Sequence, residues 1–214
     1  MKFYIDTSVF GGYFDAEFSA ETKLFFEELL NAEHTAIISM EVMREIIKAH
    51  ERVSGLLLSI LEKKTETILL DEQIINLANK YVEEGALTKR YVSDALHIAC
   101  ATISKADVLV SWNFTHMVNF FRIKQYNEIN RKFGYQDIDI RSPKEVIQKK
   151  NNSKAEEPSV HYGESIPVMQ MVREIRDELS ELYWKNPSAY IEETNKYTKE
   201  FIEKHFSQKT KRAE

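Results

Sequence analysis

Short apolar, β-rich runs alternate with longer stretches of helical periodicity through about residue 148. Strands are predicted at Phe3–Ile5, Thr35–Ser39, Thr67–Leu70, Val108–Ser111 and Ile138–Ile140. Helical periodicity covers Glu21–Glu33, Met40–Ala49, Val53–Lys63, Glu72–Glu83, Ser93–Ser104 and Ile123–Phe133. Ser142-Pro143-Lys144-Glu145 reads as an N-cap with proline in the first turn of a short closing helix. Strands separated by helices of this length need crossover connections, which predicts an α/β fold with a mainly parallel sheet.

The alternation stops at Gln148–Ser159, a polar stretch without large apolar residues that ends beside a proline and reads as a linker. Beyond it, Val168, Val172, Ile175, Leu179 and Leu182 recur at spacings of four and three, forming one apolar stripe on a helix. Asn186-Pro187 interrupts, and a second helical pattern carries Tyr190, Ile191, Tyr197, Phe201 and Ile202. Two such helices cannot bury their stripes alone, so the appendage must dock on something. The expected division is a domain over 1–147, a linker over 148–159, a helical segment over 160–206 and a frayed tail over 207–214.

A chain of 214 residues is long enough for one substantial core plus an appendage, and 43% hydrophobic with 29% charged residues is ordinary for a globular protein. No apolar run approaches the roughly 18 residues of a membrane helix, and Asp6 interrupts the N-terminus too early for a secretion signal. The single cysteine, Cys100, has no internal partner for a disulfide, which suits the cytoplasm. The net charge of −5 argues against nucleic-acid binding by bulk electrostatics but not against a nuclease, whose carboxylates count and whose metal does not.

The candidate chemistry lies where strands stop and helices start. Asp6 ends the first strand in Tyr4-Ile5-Asp6-Thr7-Ser8-Val9, and strand carboxyl ends are where open α/β sheets collect ligands. Asp6-Thr7-Ser8 reads equally as a simple cap. Glu41 and Glu45 share one face of the helix after the second strand, and only one is expected to reach the sheet edge. Asp94 opens its helix, where an acid also serves free N–H groups and the dipole. Asn113 follows the fourth strand, a position at which asparagine is commonly a turn residue. Three carboxylates converging at one edge would repel unless a cation neutralised them, and hard oxygen ligands suit Mg²⁺ or Mn²⁺. No triad for covalent catalysis stands out. His97 reads as a hydrogen-bonded packing residue, Cys100 as buried filler, and His116 as a loop residue with a lesser claim to touch substrate. Lys89 and Arg90 precede Asp94, as a solvated pair or as contacts for an RNA backbone.

Together, Tyr4-Ile5-Asp6-Thr7-Ser8-Val9, Ser39…Glu45, Asp94-Ala95-Leu96-His97-Ile98-Ala99 and Leu109-Val110-Ser111-Trp112-Asn113 resemble the PIN-domain ribonucleases, above all the VapC-type toxins of toxin–antitoxin systems. The resemblance spans about residues 1–147. It implies a PIN-like three-layer sandwich with a helical C-terminal appendage, and Mg²⁺- or Mn²⁺-dependent cleavage of RNA. By the same resemblance Asp6, Glu45 and Asp94 are the metal-holding acids, and Ser8 is the small hydroxyl residue near the first. Asn113 stands where the family often has aspartate, which puts a second metal site in doubt.

The stretch Met171-Val172-Arg173-Glu174-Ile175-Arg176-Asp177-Glu178 resembles the short antitoxin partners of such toxins, a weaker match over a few dozen residues. It implies an inhibitor carried on the same chain, docking as an amphipathic helix in a groove. Tyr183, Trp184 and Tyr190 would be its anchors. Arg173 or Arg176 would enter the acidic pocket, or pair on the surface with Glu174, Asp177 and Glu178. Docking onto a neighbouring chain is equally allowed and would make a dimer or larger oligomer. Two other readings stand beside this one. The first is a non-catalytic PIN-fold regulatory or RNA-binding module, motivated by Asn113. The second is a haloacid-dehalogenase-like phosphatase, disfavoured because Ser8 replaces the second aspartate. No helix-turn-helix or basic ribbon for a DNA operator is visible.

Overall fold

The computed structural model describes residues 1–32, 34–148 and 168–210, with side chains to Phe206. Five strands form one all-parallel sheet in the order β3-β2-β1-β4-β5. They are β1 (Lys2–Ile5), β2 (Thr35–Ser39), β3 (Thr65–Ile68), β4 (Val108–Val110) and β5 (Ile140–Arg141). Every residue of β2 and β4 is buried, which requires cover on both faces of the sheet. The chain is thus an α/β sandwich of the expected class. Chain order reverses between β1 and β4, and that switch point is where Asp6 emerges.

The helices are α1 (Thr7–Gly12), α2 (Ser19–Asn31), α3 (Met40–Lys48), α4 (Glu51–Leu61) and α5 (Glu72–Glu83). A 3₁₀ turn at Lys89–Tyr91 leads into α6 (Val92–Ile103), followed by α7 (Phe120–Lys132) and α8 (Pro143–Gln148). Ser39 caps α3 by accepting from the Val42 N–H, and Asp71 caps α5 by accepting from Ile74. Ser142 and Glu145 bond each other's backbone N–H across the first turn of α8, a capping box with Pro143 inside it.

Several boundaries differ from the sequence reading, each for a tertiary reason. β3 begins two residues early because Ala36 to Ser39 pair with Thr65 to Ile68, while Leu70 gives its N–H and C=O to Asn195. Ile138 likewise exchanges both backbone bonds with the Asn127 side chain, which shifts β5 to Ile140–Arg141. Helix α7 starts at Phe120, earlier than the apolar pattern indicates, because Asn119 caps it.

Helix α1 lies outside the helices expected from the sequence, and it ends on Gly11-Gly12. The glycines are there for space: a Cβ on Gly11 would lie 2.9 Å from Val168 Cγ1, and one on Gly12 would lie 2.7 Å from the Trp112 ring. Val168 belongs to α9 (Val168–Lys185), which with α10 (Pro187–Thr210) forms the C-terminal segment. Gly11→Ala is therefore expected to weaken docking of α9 by about 1–3 kcal/mol while leaving the sheet intact. Limited proteolysis between the two parts, accelerated in the variant, checks it.

The appendage does dock on the rest of the chain. Val168, Val172, Ile175, Leu179 and Tyr183 are buried in one continuous core with the sheet domain, packed against α1, α3 and α6. Gln148 ends α8, and the rest of the expected linker lies outside the described residues, as do 160–167. The expected frayed tail is helical as far as Thr210, and residues 211–214 lie outside the described residues. Among the described residues no helix is long and apolar enough to cross a membrane.

Candidate metal centre and its arginine plug

Asp6, Glu45 and Asp94 converge in one buried cluster, and a single side chain from α9 binds all three. The Arg176 guanidinium donates through Nε to both oxygens of Glu45 (3.0 and 3.1 Å) and through Nη1 to Asp94 Oδ1 (2.9 Å). Nη2 pairs with Asp6 Oδ1 and lies 3.2 Å from His97 Nε2. Asp6 and Glu45 are fully buried and Arg176 is only 8% exposed. A delocalised cation with five donors in a fixed fork suits three carboxylates better than an ammonium would.

Each acid is held from behind. Asp6 Oδ2 accepts from the hydroxyls of Ser8 and Ser111, the latter at 2.7 Å. Those two hydroxyls in turn accept the backbone N–H groups of Trp112 and Asn113, both at 2.9 Å. The loop after β4 is thus tied to the first acid through two serines. Asn113 donates from Nδ2 to Asp94 Oδ1 (3.2 Å) and accepts the His116 N–H, so it orients the third acid and makes the turn. Asp94 sits in the first turn of α6 without capping it.

Glu41 and Glu45 both reach the cluster, where one was expected. Ser93 Oγ lies 2.8 Å from Glu41 Oε1 and 2.6 Å from Glu45 Oε1. A hydroxyl has one hydrogen to give, so Ser93 serves one of these carboxyls fully at a time. Burial and the Glu45 charge push Glu41 upward. Tyr190 of α10 donates to the same carboxyl at 2.7 Å. Tyr190→Phe is expected to cost about 1–3 kcal/mol by leaving that buried group short of a partner. Urea denaturation of the intact chain reads the loss.

The other acids divide by their neighbours. Burial would raise Asp6 and Glu45, but Arg176 and His97 outweigh it and hold both below the ordinary range, Glu45 at about 2. For Asp94 burial wins over Arg176, and the carboxyl is pushed up to about 6. Its folded value thus lies above its unfolded one. The associated stability is full below about pH 4 and is lost as pH rises through about 6. Asp94→Asn is accordingly expected to flatten the fall in Tm between pH 4 and 6, which thermal scans at half-unit steps measure. His97 is buried, with Nδ1 2.8 Å from the Tyr4 hydroxyl and Nε2 3.1 Å from Glu45 Oε1. The expected packing histidine is therefore also a strut for the second acid.

Asp6, Glu45 and His97 each offer one ligand atom, all within 4.8 Å of one another. Carboxylate oxygens suit Mg²⁺ or Mn²⁺, and an imidazole nitrogen is the better ligand for Mn²⁺ of the two. The donor set fits such a cation; Arg176 reaches all three of its members and also Asp94, which lies outside this compact set.

The remaining inhibitory candidates separate clearly. Arg173 is exposed at the rim of a neighbouring cavity and does not enter the cluster. The helix period explains the choice: Arg176 follows Val172 by four and precedes Leu179 by three, on the buried stripe, whereas Arg173 is off it. Tyr183 is buried with its hydroxyl on Asn79 (2.8 Å), and Trp184 Nε1 donates to the Lys89 carbonyl (2.7 Å). Arg90 makes a forked pair with Asp177 of α9, and Lys89 lies over the Trp184 ring. Neither Ser93 nor Ser111 was singled out from sequence. Their partners follow from which strands and helices are neighbours, which residue spacing does not encode.

No family model and no curated protein sequence matches this chain. Among solved structures, one chain of VapBC2 from Rickettsia felis bound to a DNA fragment from their promoter is similar at 16% identity, with a TM-score of 0.44. The match covers 66% of this chain and 98% of that one. At that level it assigns neither family nor function.

Proposed function

We propose that the chain is a metal-dependent endoribonuclease of the PIN toxin type, restrained by its own C-terminal helices. The observation that carries the reading is the Arg176 guanidinium bonded to Asp6, Glu45 and Asp94 together. One arginine cation occupying three buried acids is what a carboxylate metal site looks like when it is plugged. Asp6, Glu45 and Asp94 would hold Mg²⁺ or Mn²⁺ once Arg176 withdraws. Such an ion, when bound, activates water and neutralises charge developing on an RNA phosphate.

The chain's own groups prepare the site. Ser8 and Ser111 fix the orientation of Asp6, leaving Oδ1 for the cation. Ser93 and His97 fix Glu45, and Asn113 fixes Asp94. Asn113 adds no charge, which favours one ion over two. Docking of these helices on their own chain would restrain it in cis, and exchange of the same helices between two chains would give a dimer with the same contacts.

The test is cleavage of single-stranded RNA with Mg²⁺ or Mn²⁺ by the intact chain and by Arg176→Ala. The reading expects little cutting by the intact chain and cutting by the variant that chelator abolishes. An inert variant, across several RNAs and both metals, favours a non-catalytic RNA-binding module instead.

A further inference from the structure

A cavity of about 370 Å³ lies beside the acidic cluster, between the loop after β4, the turn before α6 and α9. Asp94, Asn113 and Arg176 are among its lining residues, so it adjoins the acidic cluster. Its walls are aromatic. The His116 ring lies against Tyr91 with centroids 3.9 Å apart and planes tilted by 36°, and Trp112 lies 5.9 Å from Phe114. Among the described residues Phe114 is half exposed, an unusual place for a phenylalanine. Arg90 and Arg173 stand among the lining residues as exposed cations.

We infer that this cavity is a nucleobase subsite, which takes an unstacked base of single-stranded RNA one nucleotide from the scissile phosphate. The inference rests on the nuclease reading above and adds the substrate feature recognised. Aromatic faces accept bases by stacking, and single-stranded segments are the RNA form whose bases are free to be splayed out. The cavity volume is in the range that holds a small ligand rather than a helix. The polar groups are arranged for such a guest. Asn113 and Asp94 line it on the side of the acids, and Arg90, on the turn before α6, is a cation of the sheet domain that an RNA backbone could meet. Burial, with the nearby Arg122 and Arg176 charges, lowers the His116 pKa. Arg90 is engaged by Asp177 in the docked state, so withdrawal of α9 frees a phosphate contact and uncovers the acids together.

Two measurements test the inference apart from the parent reading. In the Arg176→Ala background, Phe114→Ala and His116→Ala are each expected to raise KM for a short single-stranded RNA about tenfold, as loss of one stacked base does. The kcat should change by less than about threefold, and base preference at one position beside the cut should flatten. Unchanged KM and preference in a chain that still cuts RNA overturn the subsite and leave the nuclease standing. The second measurement uses the intact chain, in which the cavity is already present. Nuclear magnetic resonance titration with AMP, CMP, GMP and UMP is expected to shift aromatic resonances of Tyr91, Phe114 and His116 for at least one nucleotide. No shift with any of the four at millimolar concentration overturns the subsite even if Arg176→Ala proves inert.

Discussion

Arg176→Ala is expected to lower the stability of the intact chain by about 3–5 kcal/mol in the presence of chelator, the usual cost of breaking a buried ion pair from one side. The reason is the number of acids left behind. Asp6 and Glu45 are fully buried and nearly dry, and Asp94 is 3% exposed. Serine hydroxyls and His97 satisfy some of their oxygens but do not cancel their charge. Mn²⁺ is then expected to restore most of the loss, since an ion that binds the folded state alone stabilises it by mass action. Chemical denaturation in EDTA and in Mn²⁺ measures both halves. A loss under about 1 kcal/mol, with no response to metal, would mean that the three acids do not depend on the guanidinium.

The second large effect concerns Asp6. In the Arg176→Ala background, Asp6→Asn is expected to reduce RNA cleavage by at least about a hundredfold, through loss of a first-ligand charge. The substitution is nearly isosteric, and its remaining oxygen can still accept from Ser8 and Ser111. The loop after β4 should therefore keep its place, and circular dichroism should match the parent. Single-turnover rates at saturating Mn²⁺ give the comparison. A fall of less than about threefold would remove Asp6 from the centre.

Much of this centre was legible in the sequence because its acids sit at boundaries that pattern reveals. Asp6 follows an apolar run, Glu45 falls one turn after Glu41 on a capped helix, and Asp94 opens the helix of Leu96 and Ile98. The supporting shell was not legible. Ser111 reaches Asp6 because β1 and β4 are paired neighbours, and Ser93 lies between two glutamates because α3 and α6 pack together. Both depend on strand order and helix packing, which residue spacing leaves open. Helix α1 was hidden for the opposite reason. Gly11 and Gly12 carry a strong local breaker signal, and the close approach of Val168 and Trp112 overrides it. The choice of Arg176 over Arg173 was within reach, since the stripe of Val172, Ile175 and Leu179 already placed one arginine inside and the other out.

The central claim is that Arg176 stands where a divalent cation binds. Electron paramagnetic resonance of Mn²⁺ at equilibrium, on the intact chain and on Arg176→Ala at neutral pH, tests it most directly. The account predicts no tight site in the intact chain and about one per chain in the variant, lost again when Asp6→Asn is added. Equal Mn²⁺ binding by the intact chain and the variant, or none by either, would contradict it.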